Sequence, residues 1–395
     1  MTIIKPILLP QKIQNNEIKG GVGTPYIIYD VKRDKHWLLF TGWNDPIGLK
    51  REGFVAPIDD SMNVDLSALI KILPSDFPEN VNYSNNAVRG FYNEAKDEFY
   101  ITSSHGKNLY FLVFDSNWKL KGYKNLINDF NKDSGLAIRP TGAYLNIKDA
   151  IAVSPSNEFS SLELYVIRNV DDFEKLNIED WGKIGASWGK SNDVLDFTLI
   201  PRFQIFVEAT PMSKWLLQTY VGPSMDEVFS DNISSIDAFK NVSFLQGSLM
   251  PLLGLDDSFT QVGHPHYTTE PDGKPKLLFA SFRDTYSSRP DTGKEGYTHE
   301  IWMEYVDNTI FDPKSYNELR GKFKGTESRW FYLPNVRKLF ISINNDAKLI
   351  LKTAFDDKNT ESLEIKKGIN TIENPVNWVK ISSQNEIDAI IKAVF

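Results

Sequence analysis

A sequence pattern recurs along the chain, and several of its copies carry an arginine or a histidine at corresponding positions. The stretch 22–41 begins Val-Gly-Thr-Pro and the stretch 262–281 begins Val-Gly-His-Pro, and both continue through a polar turn to Leu-Leu-Phe. Three further stretches, 87–104, 138–154 and 199–220, follow the same pattern and carry an arginine near their start. Arginines that converge on one axis repel each other unless an anion, carboxylates or water lies between them. The pattern therefore predicts either an anion-binding centre or an internal network of ion pairs.

The repeat also predicts the fold. Its copies are led by Gly23, Arg89, Arg139, Arg202 and Gly263, at a mean spacing of about 60 residues. Each copy reads as two strands joined by a polar turn, with further strand-like runs behind it. Units of three or four antiparallel strands repeat in β-propellers, because one such sheet cannot bury both of its faces alone. We predict an all-β fold, with a five-bladed β-propeller over residues 1–306 and a small C-terminal β-sandwich-like domain over residues 307–395.

Both ends of the chain are assigned a place in this fold. Residues 2–9 are apolar, and we expect them to form the outer strand that completes the last blade. Residues 307–395 alternate apolar and polar positions, as β-hairpins do, and we interpret them as a structural or docking module. The last stretch could form a short helix from Asn385, with Ile387, Ile390 and Ile391 on one face.

The inner strands of a propeller line its central channel, so the repeat nominates a ligand site at one end of that channel. Candidate positions are the beginnings of the inner strands and the ends of the strands that follow them. Trp43 and Asn44 could supply a stacking ring and an amide for a sugar, and Tyr286 lies in a long polar loop, 282–300. The candidate ligand-binding residues are Thr24, Tyr26, Trp43, Asn44, Arg89, Arg139, Arg202, His264, His266, Arg283 and Tyr286.

His264 and His266 are also candidate metal ligands, because residues two apart on a strand share a face. No other histidine, cysteine or acid obviously completes a ligand set, although His105 could come from another blade. Hydrogen-bonded residues of the channel wall are the alternative, and we favour it. We therefore expect no metal and no cofactor.

Composition excludes several classes of protein. The net charge is −8, with −10 in residues 1–306 and +2 in residues 307–395, which argues against nucleic acid as a partner. The chain has no cysteine, so disulfides and thiolate chemistry are excluded. The first residues lack a signal-peptide pattern, and no apolar run is long enough to cross a membrane. We expect synthesis in a cytoplasm and no membrane insertion.

The blade pattern over residues 20–306 resembles the five-bladed-propeller glycoside hydrolases of the arabinanase, β-xylosidase and fructosidase type. In that family the first blade usually opens with Asp-Pro, and the resemblance implies that this aspartate acts as base or nucleophile. Thr24 occupies the matching position, and His264 is its counterpart in the fifth blade. Glycoside hydrolysis needs two carboxylates, and Thr24 supplies neither. If the chain is an enzyme, we expect the pair to be Glu208 and Asp284.

Two functions follow from this pattern. The first is a non-catalytic propeller that binds carbohydrate or a glycosylated receptor, with its C-terminal domain docked in a protein assembly. Such a head resembles the receptor-binding proteins of virions and phage tails, which implies a possible place on a virion surface. The second is a glycosidase that acts on oligosaccharides.

Overall fold

The computed structural model describes most of the chain. The described residues are 4–10, 17–44, 50–74, 85–105, 108–127, 141–145, 150–154, 161–170, 172–186, 191–198, 204–209, 216–228, 236–251, 259–284, 297–355 and 358–395.

The strands of this described part form five sheets, numbered by the chain order of their first strands. The chain begins with β1 (Ile4–Leu8), which belongs to sheet 5. Sheet 1 contains β2 (Gly21–Asp30), β3 (Lys35–Trp43), β4 (Glu52–Ile58) and β5 (Ile70–Leu73). Sheet 2 contains β6 (Asn85–Asn93), β7 (Glu98–His105), β8 (Asn108–Asp115) and β9 (Leu120–Ile127). Sheet 3 contains β10 (Thr141–Leu145), β11 (Ala150–Ser154), β12 (Ser161–Arg168) and β13 (Asn177–Ala186).

The remaining strands make sheet 4, sheet 5 and the C-terminal region. Sheet 4 begins with β14 (Ser191–Thr198), β15 (Gln204–Ala209), β16 (Leu216–Val221) and, after the short β17 (Val242–Ser243), β18 (Leu245–Pro251). Sheet 5 contains β19 (Phe259–Thr268), β20 (Lys276–Asp284), β21 (Tyr297–Tyr305) and β1. The C-terminal strands are β22 (Glu318–Glu327), β23 (Trp330–Tyr332), β24 (Lys338–Ile343), β25 (Ala347–Lys352), β26 (Glu361–Ile365), β27 (Gly368–Glu373) and β28 (Trp378–Val394). Helical segments are Leu66–Ala68, Met225–Val228, Ile236–Asn241, Asn308–Phe311 and Pro313–Ser315.

The first strands of the five sheets form a closed ring. Strands β2, β6, β10, β14 and β19 contact one another in that order, and β19 contacts β2 again. Nearly every residue of β2 is buried, because an inner strand is covered on both faces. Neighbouring sheets pack face to face, with one apolar cluster between sheets 1 and 2 and another between sheets 1 and 5. The prediction of an all-β propeller is confirmed.

Sheet 5 uses both ends of the propeller segment. Strand β1 pairs antiparallel with β21 and is the outer strand of the sheet, with Ile4 opposite Glu304 and Leu8 opposite Ile301. Leu8 is buried against residues of sheets 1 and 5. The first and last parts of the ring are therefore joined by backbone hydrogen bonds.

The C-terminal strands continue from sheet 4 by hydrogen bonding. Gln246 of β18 pairs with Arg320 of β22, and β22 pairs along most of its length with β28. Strand β28 also pairs with β24 and β25, and so connects two layers around one apolar cluster. Val221 and Leu245 of sheet 4 belong to that same cluster.

Two sequence predictions are wrong at the level of individual elements. Residues from Asn385 onward form part of the seventeen-residue strand β28, and no helix starts there. Ile387, Ala389, Ile391 and Ala393 are buried, which is the period of a strand with one covered face. The stretch 199–220 was aligned as an inner-strand unit, but Gln204–Ala209 is the second strand of sheet 4 and β14 is the first. The inner strand of sheet 4 is therefore Ser191–Thr198.

Candidate functional site

The first strands begin and the second strands end at one end of the ring, which we call the upper end. Gly21 pairs with Trp43 in sheet 1, Asn85 with His105 in sheet 2, and Phe259 with Arg283 in sheet 5. The turns between first and second strands lie at the opposite, lower end. The beginnings of β2, β6 and β19 therefore lie at the same end of the ring.

The strand pairing is interrupted at the same place in the two Val-Gly-x-Pro motifs. The pairing register shifts between Gly23 and Tyr26 in sheet 1, and between Gly263 and His266 in sheet 5. Each shift is an irregularity at the x-Pro pair, as expected because proline has no backbone N–H to donate to the ladder. Such bulges redirect the side chains beside them, and they are common next to functional sites.

Thr24 adopts an unusual backbone conformation in the first bulge. Its φ is 49°, in the left-handed region that β-branched residues rarely enter. The side chain is 1% exposed, and its hydroxyl lies 2.9 Å from the Thr41 hydroxyl, within hydrogen-bond distance. A residue held in this region costs free energy that its surroundings must offset.

Arg89 of sheet 2 provides part of that compensation. The guanidinium Nη1 donates hydrogen bonds to the backbone oxygens of Thr24, at 2.9 Å, and Pro25, at 3.0 Å. Arg89 is 1% exposed, so these bonds lie in a low-dielectric setting where they are strong. The sequence suggested bonding to an anion or to carboxylates. The guanidinium of Arg89 bonds the backbone bulge of the neighbouring sheet.

Tyr26 and His266 connect the two repeated strands directly. Each follows the proline of its motif, and the two ring centroids lie 4.0 Å apart. The Cζ atom of Arg89 lies 5.2 Å from the centre of the Tyr26 ring, on the side of sheet 2. All three side chains are buried. The expectation that the two echoed strands are neighbours is confirmed, and their side chains form a stack that spans sheets 5, 1 and 2.

Trp43 lies at the upper end of sheet 1 and is 2% exposed. Its ring covers Gly21, where an added Cβ would lie 2.4 Å from Cζ2 of Trp43. The Arg51 guanidinium lies over the ring at 5.0 Å, and His299 meets it edge-on at 4.8 Å. The indole therefore supports Arg51 and His299, and the neighbouring Asn44 is the exposed side chain.

Sequence reasoning did not select Arg51 or His299. The register could have indicated His299, because third strands begin beside the ends of second strands, which were already candidate positions. Arg51 precedes β4 in the same way.

The remaining predicted site residues fall into two groups. Arg139, Arg202 and Tyr286 lie outside the described residues. The structure gives the backbone but no side-chain placement for His264, Arg283, Glu208 and Asp284. Glu208 is in β15 and Asp284 ends β20, so both acids lie toward the upper end of second strands, in adjacent sheets.

The lower end holds a charged contact between sheets 1 and 2. Arg33 bonds the buried carboxylate of Asp30, at 3.0 Å, and binds both oxygens of Asp97, at 2.7 and 2.8 Å. Hydrogen bonds from Arg33 and Tyr92 hold the pKa of Asp97 below its usual range. Burial, followed by the hydrogen bond to Asp97, raises the pKa of Tyr92 to about 12.

The turn of sheet 5 contains a buried cation instead. Lys276 is fully buried and donates to the backbone oxygens of Thr269, at 3.2 Å, and Glu270, at 3.0 Å, and to the Asp272 carboxylate. Burial lowers the pKa of Lys276, and its hydrogen bond to Asp272 acts in the opposite direction. The hydrogen bond to Asp272 raises the pKa of Tyr305 to about 12.

A histidine joins the turn of sheet 5 to sheet 1. His36 Nε2 lies 2.6 Å from Glu270 Oε2, and its ring stacks on Tyr29 at 4.5 Å. Both lower-end contacts of sheet 1, one to sheet 2 and one to sheet 5, therefore come from its first hairpin.

No group of three or more histidine, aspartate or glutamate side chains in the described part of the chain is arranged to hold a metal ion. None of the helices described is long and apolar enough to cross a membrane.

No protein-family model matches the chain, and no curated protein matches it. Among solved structures, an α-L-arabinofuranosidase from Podospora anserina is similar at a TM-score of 0.48 and 10% identity, covering 77% of this chain and 95% of its own. A Bombyx mori β-fructofuranosidase is similar at 0.47 and 12%, covering 98% and 94%. A fructofuranosidase from Schwanniomyces occidentalis is similar at 0.45 and 8%, covering 98% and 97%.

Proposed function

We propose that the chain is a non-catalytic propeller that binds a glycan, or a receptor that carries one, at the upper end of its ring. The observation that carries this proposal is the burial and hydrogen bonding of Thr24. The family resemblance implies a catalytic aspartate at that position, whereas Thr24 is buried, hydrogen-bonded to Thr41 and fixed through its carbonyl by Arg89. A buried hydroxyl of this kind can neither carry negative charge nor protonate a leaving group at neutral pH.

The interior of the ring supports the same conclusion. His266, Tyr26 and Arg89 pack against one another between the inner strands of sheets 5, 1 and 2, and all three are buried. A ligand then binds above this stack, at the surface of the upper end. Asn44 is exposed there, and Arg51 and His299 lie beside it on the Trp43 ring. Amide and guanidinium groups hydrogen-bond sugar hydroxyls with defined geometry.

The same proposal extends to an attachment role on a virion or phage tail. In this role the upper end faces the receptor, and the C-terminal strands, which continue from sheet 4, face the assembly.

A second candidate function is glycoside hydrolysis, and one observation favours it. Glu208 and Asp284 lie at the same end of equivalent strands in the adjacent sheets 4 and 5. Glycosidases require two carboxyl groups about 5–10 Å apart across the scissile bond. Because β15 and β20 belong to neighbouring sheets, the backbone brings these two acids toward the same opening.

A glycan-array screen followed by hydrolysis assays on the bound glycans tests both functions. For the binding function we expect retention of at least one glycan class, no release of product, and loss of retention in Asn44→Ala. Asn359→Ala is the matched control, because Asn359 is exposed in the C-terminal region. Retention that is unchanged in Asn44→Ala contradicts the proposed position of the site.

The enzyme function predicts a different result. Product release from a bound glycan, abolished by Glu208→Gln or Asp284→Asn, would overturn the non-catalytic proposal. Glu94→Gln is the matched control, because Glu94 is exposed in the turn between β6 and β7 at the lower end.

A further inference from the structure

Strand β27 is an open edge of the C-terminal β-structure. In the described ranges 297–355 and 358–395, β27 pairs with β24 alone, from Lys338 opposite Glu373 to Ile343 opposite Gly368. The backbone groups on its other side therefore face outward. Exposed edges of this kind add strands from other chains unless charge, proline or a covering segment prevents it.

The side chains of β27 do not protect this edge. Ile369 is 78% exposed, the highest value among the large apolar side chains described, and Thr371 and Glu373 on the same face are also exposed. Ile372 on the opposite face packs against the apolar cluster of the C-terminal strands. The outer face thus presents an isoleucine and a threonine at an open edge, residue types that favour strand pairing.

The sequence around β27 is complementary to itself. Residues 367–373 read Lys-Gly-Ile-Asn-Thr-Ile-Glu. Lys367 is the bend residue directly before β27, which begins at Gly368 with a φ of 110°. An antiparallel pair of two β27 strands centred on Asn370 places Ile369 opposite Thr371 and brings Lys367 beside Glu373 at both ends. Opposite charges and apolar–threonine pairs directly across a sheet stabilise it, and like charges destabilise it. No like charges stand opposite each other on the exposed face in this register.

We propose that two copies of the chain associate through β27, in an antiparallel pair centred on Asn370 that joins their C-terminal sheets into one. The occupant of the open edge is thus a second copy of this chain, and the interface is two-fold symmetric. A two-fold interface requires one surface patch that complements itself, which residues 367–373 provide.

The neighbouring edge strand does not have this property. Strand β26 pairs with β25 alone in the described ranges, and it carries Glu361 and Glu364 without a lysine or arginine between its ends. Self-pairing of β26 adds acidic charge on both sides without a compensating cation. Of these two edges of the C-terminal β-structure, the charge pattern therefore favours β27.

The existing partner of Glu373 does not prevent the association. Glu373 forms an ion pair with Lys338 at 3.0 Å, but both side chains are more than half exposed. Exposed pairs contribute little and rearrange easily, so Glu373 can accept Lys367 of the second copy as well.

Charge reversal on the full-length chain tests the proposal. We expect light scattering after size exclusion to give twice the chain mass of 45.1 kDa for the wild type. Glu373→Lys and Lys367→Glu should each reduce the measured mass to that of one chain, because each places like charges opposite at both ends. The double variant should recover the doubled mass, because it restores opposite charges in the same register. Glu361→Lys, the matched control on β26, should keep the doubled mass.

Each other outcome overturns the proposal. A wild type with the mass of one chain at its highest soluble concentration excludes self-association. A doubled mass in both single variants places the interface elsewhere, and a double variant that stays single contradicts the register. Because Glu373→Lys loses the Lys338 pair in the single and in the double variant, recovery cannot come from that pair. Far-UV circular dichroism identical to wild type shows that each variant has folded.

Discussion

The hairpins β2–β3 and β19–β20 are the two most similar stretches of the sequence, and they differ in how they are held. Both begin with Val-Gly-x-Pro and have a register shift at the x-Pro pair. In sheet 1 the bulge is bound by the guanidinium of Arg89 through two backbone oxygens. In sheet 5 the residue after the bulge, His266, instead stacks on Tyr26. The shared motif therefore sets the register shift of the strand pair. The group that contacts each hairpin comes from the next sheet around the ring.

The lower ends of the two hairpins differ in the sign of the buried charge. The turn of sheet 1 buries the carboxylate of Asp30, and Arg33 reaches outward to Asp97 of sheet 2. The turn of sheet 5 buries Lys276, and its partner Asp272 belongs to the same turn. One hairpin uses its charge to contact a neighbouring sheet, and the other uses it to close its own turn. Removing individual groups should expose this difference.

Arg89→Ala should have the largest effect on stability. It removes the donor of two buried backbone oxygens, and each buried group without a partner costs about 1–3 kcal/mol, for a total of about 2–6 kcal/mol. Unfolding by guanidinium chloride, followed by tryptophan fluorescence, measures the loss. Arg320→Ala is the control, because 45% of the Arg320 side chain is exposed. Equal losses in the two variants would mean that Arg89 does not stabilise the Thr24 bulge.

Asp272→Ala should be the next most destabilising change. Lys276 is fully buried, and removing one partner of a buried pair costs about 3–5 kcal/mol, with the low end expected because two backbone oxygens still accept from Lys276. Arg33→Ala in the other hairpin should cause a smaller loss that decreases in high salt. The backbone N–H of residue 33 still donates to the buried Asp30 carboxylate in this variant, and the Arg33–Asp97 ion pair that is lost is 37% exposed on each side. The same denaturant titration, at low and at high salt, compares the two. A larger loss of stability in Arg33→Ala than in Asp272→Ala would contradict the expectation that the contact of the buried Lys276 contributes more.

Part of this architecture could be predicted from the sequence because it depends on pattern. The echo at Gly23 and Gly263 predicted neighbouring inner strands, and the contact of Tyr26 with His266 confirms it. The fourth copy was misaligned because β14 reads Ser-Asn-Asp-Val-Leu-Asp-Phe-Thr, whose acids hide a strand, whereas the next strand carries the expected aromatic and aliphatic run. The local pattern of apolar and polar residues does not show which of two successive strands becomes the inner strand of its sheet.

The end of the chain and the site show two further limits. Apolar residues at 387, 390 and 391 fit one face of a helix, but burial at alternate positions was decided by pairing with β22 and β24. The partners of Arg89 could not be predicted, because backbone oxygens turn toward it only once the Thr24–Pro25 bulge has formed. Trp43 was selected as an aromatic ring at a strand end, but its burial depends on Gly21 across the pair.

Gly21→Ala tests that dependence and should be moderately destabilising. The φ of Gly21 is 154° and the added Cβ would lie 2.4 Å from the Trp43 ring, so we expect a loss of about 1–3 kcal/mol from overpacking. Gly23→Ala is the matched control two residues later, where the nearest atom to the new Cβ is 3.6 Å away. In the other echo Gln261 replaces Gly21, opposite Phe282 instead of a tryptophan. Thermal unfolding in which Gly23→Ala loses as much as Gly21→Ala would refute this explanation.

The smallest effect should appear only at alkaline pH, and it again separates the two turns. The pKa of Tyr305 is raised to about 12 mainly by its hydrogen bond to Asp272, so the folded state keeps a proton that the unfolded state loses near pH 10. This contribution to stability is complete below about pH 10 and is lost as pH rises toward about 12. Tyr305→Phe should therefore flatten part of the alkaline fall in the free energy of unfolding, whereas exposed Tyr123→Phe should not.

In the turn of sheet 1, burial is the largest cause of the raised pKa of Tyr92, and the hydrogen bond to Asp97 comes second. Spectrophotometric titration should therefore show a lowered tyrosine pKa in Asp272→Asn and a smaller change in Asp97→Asn.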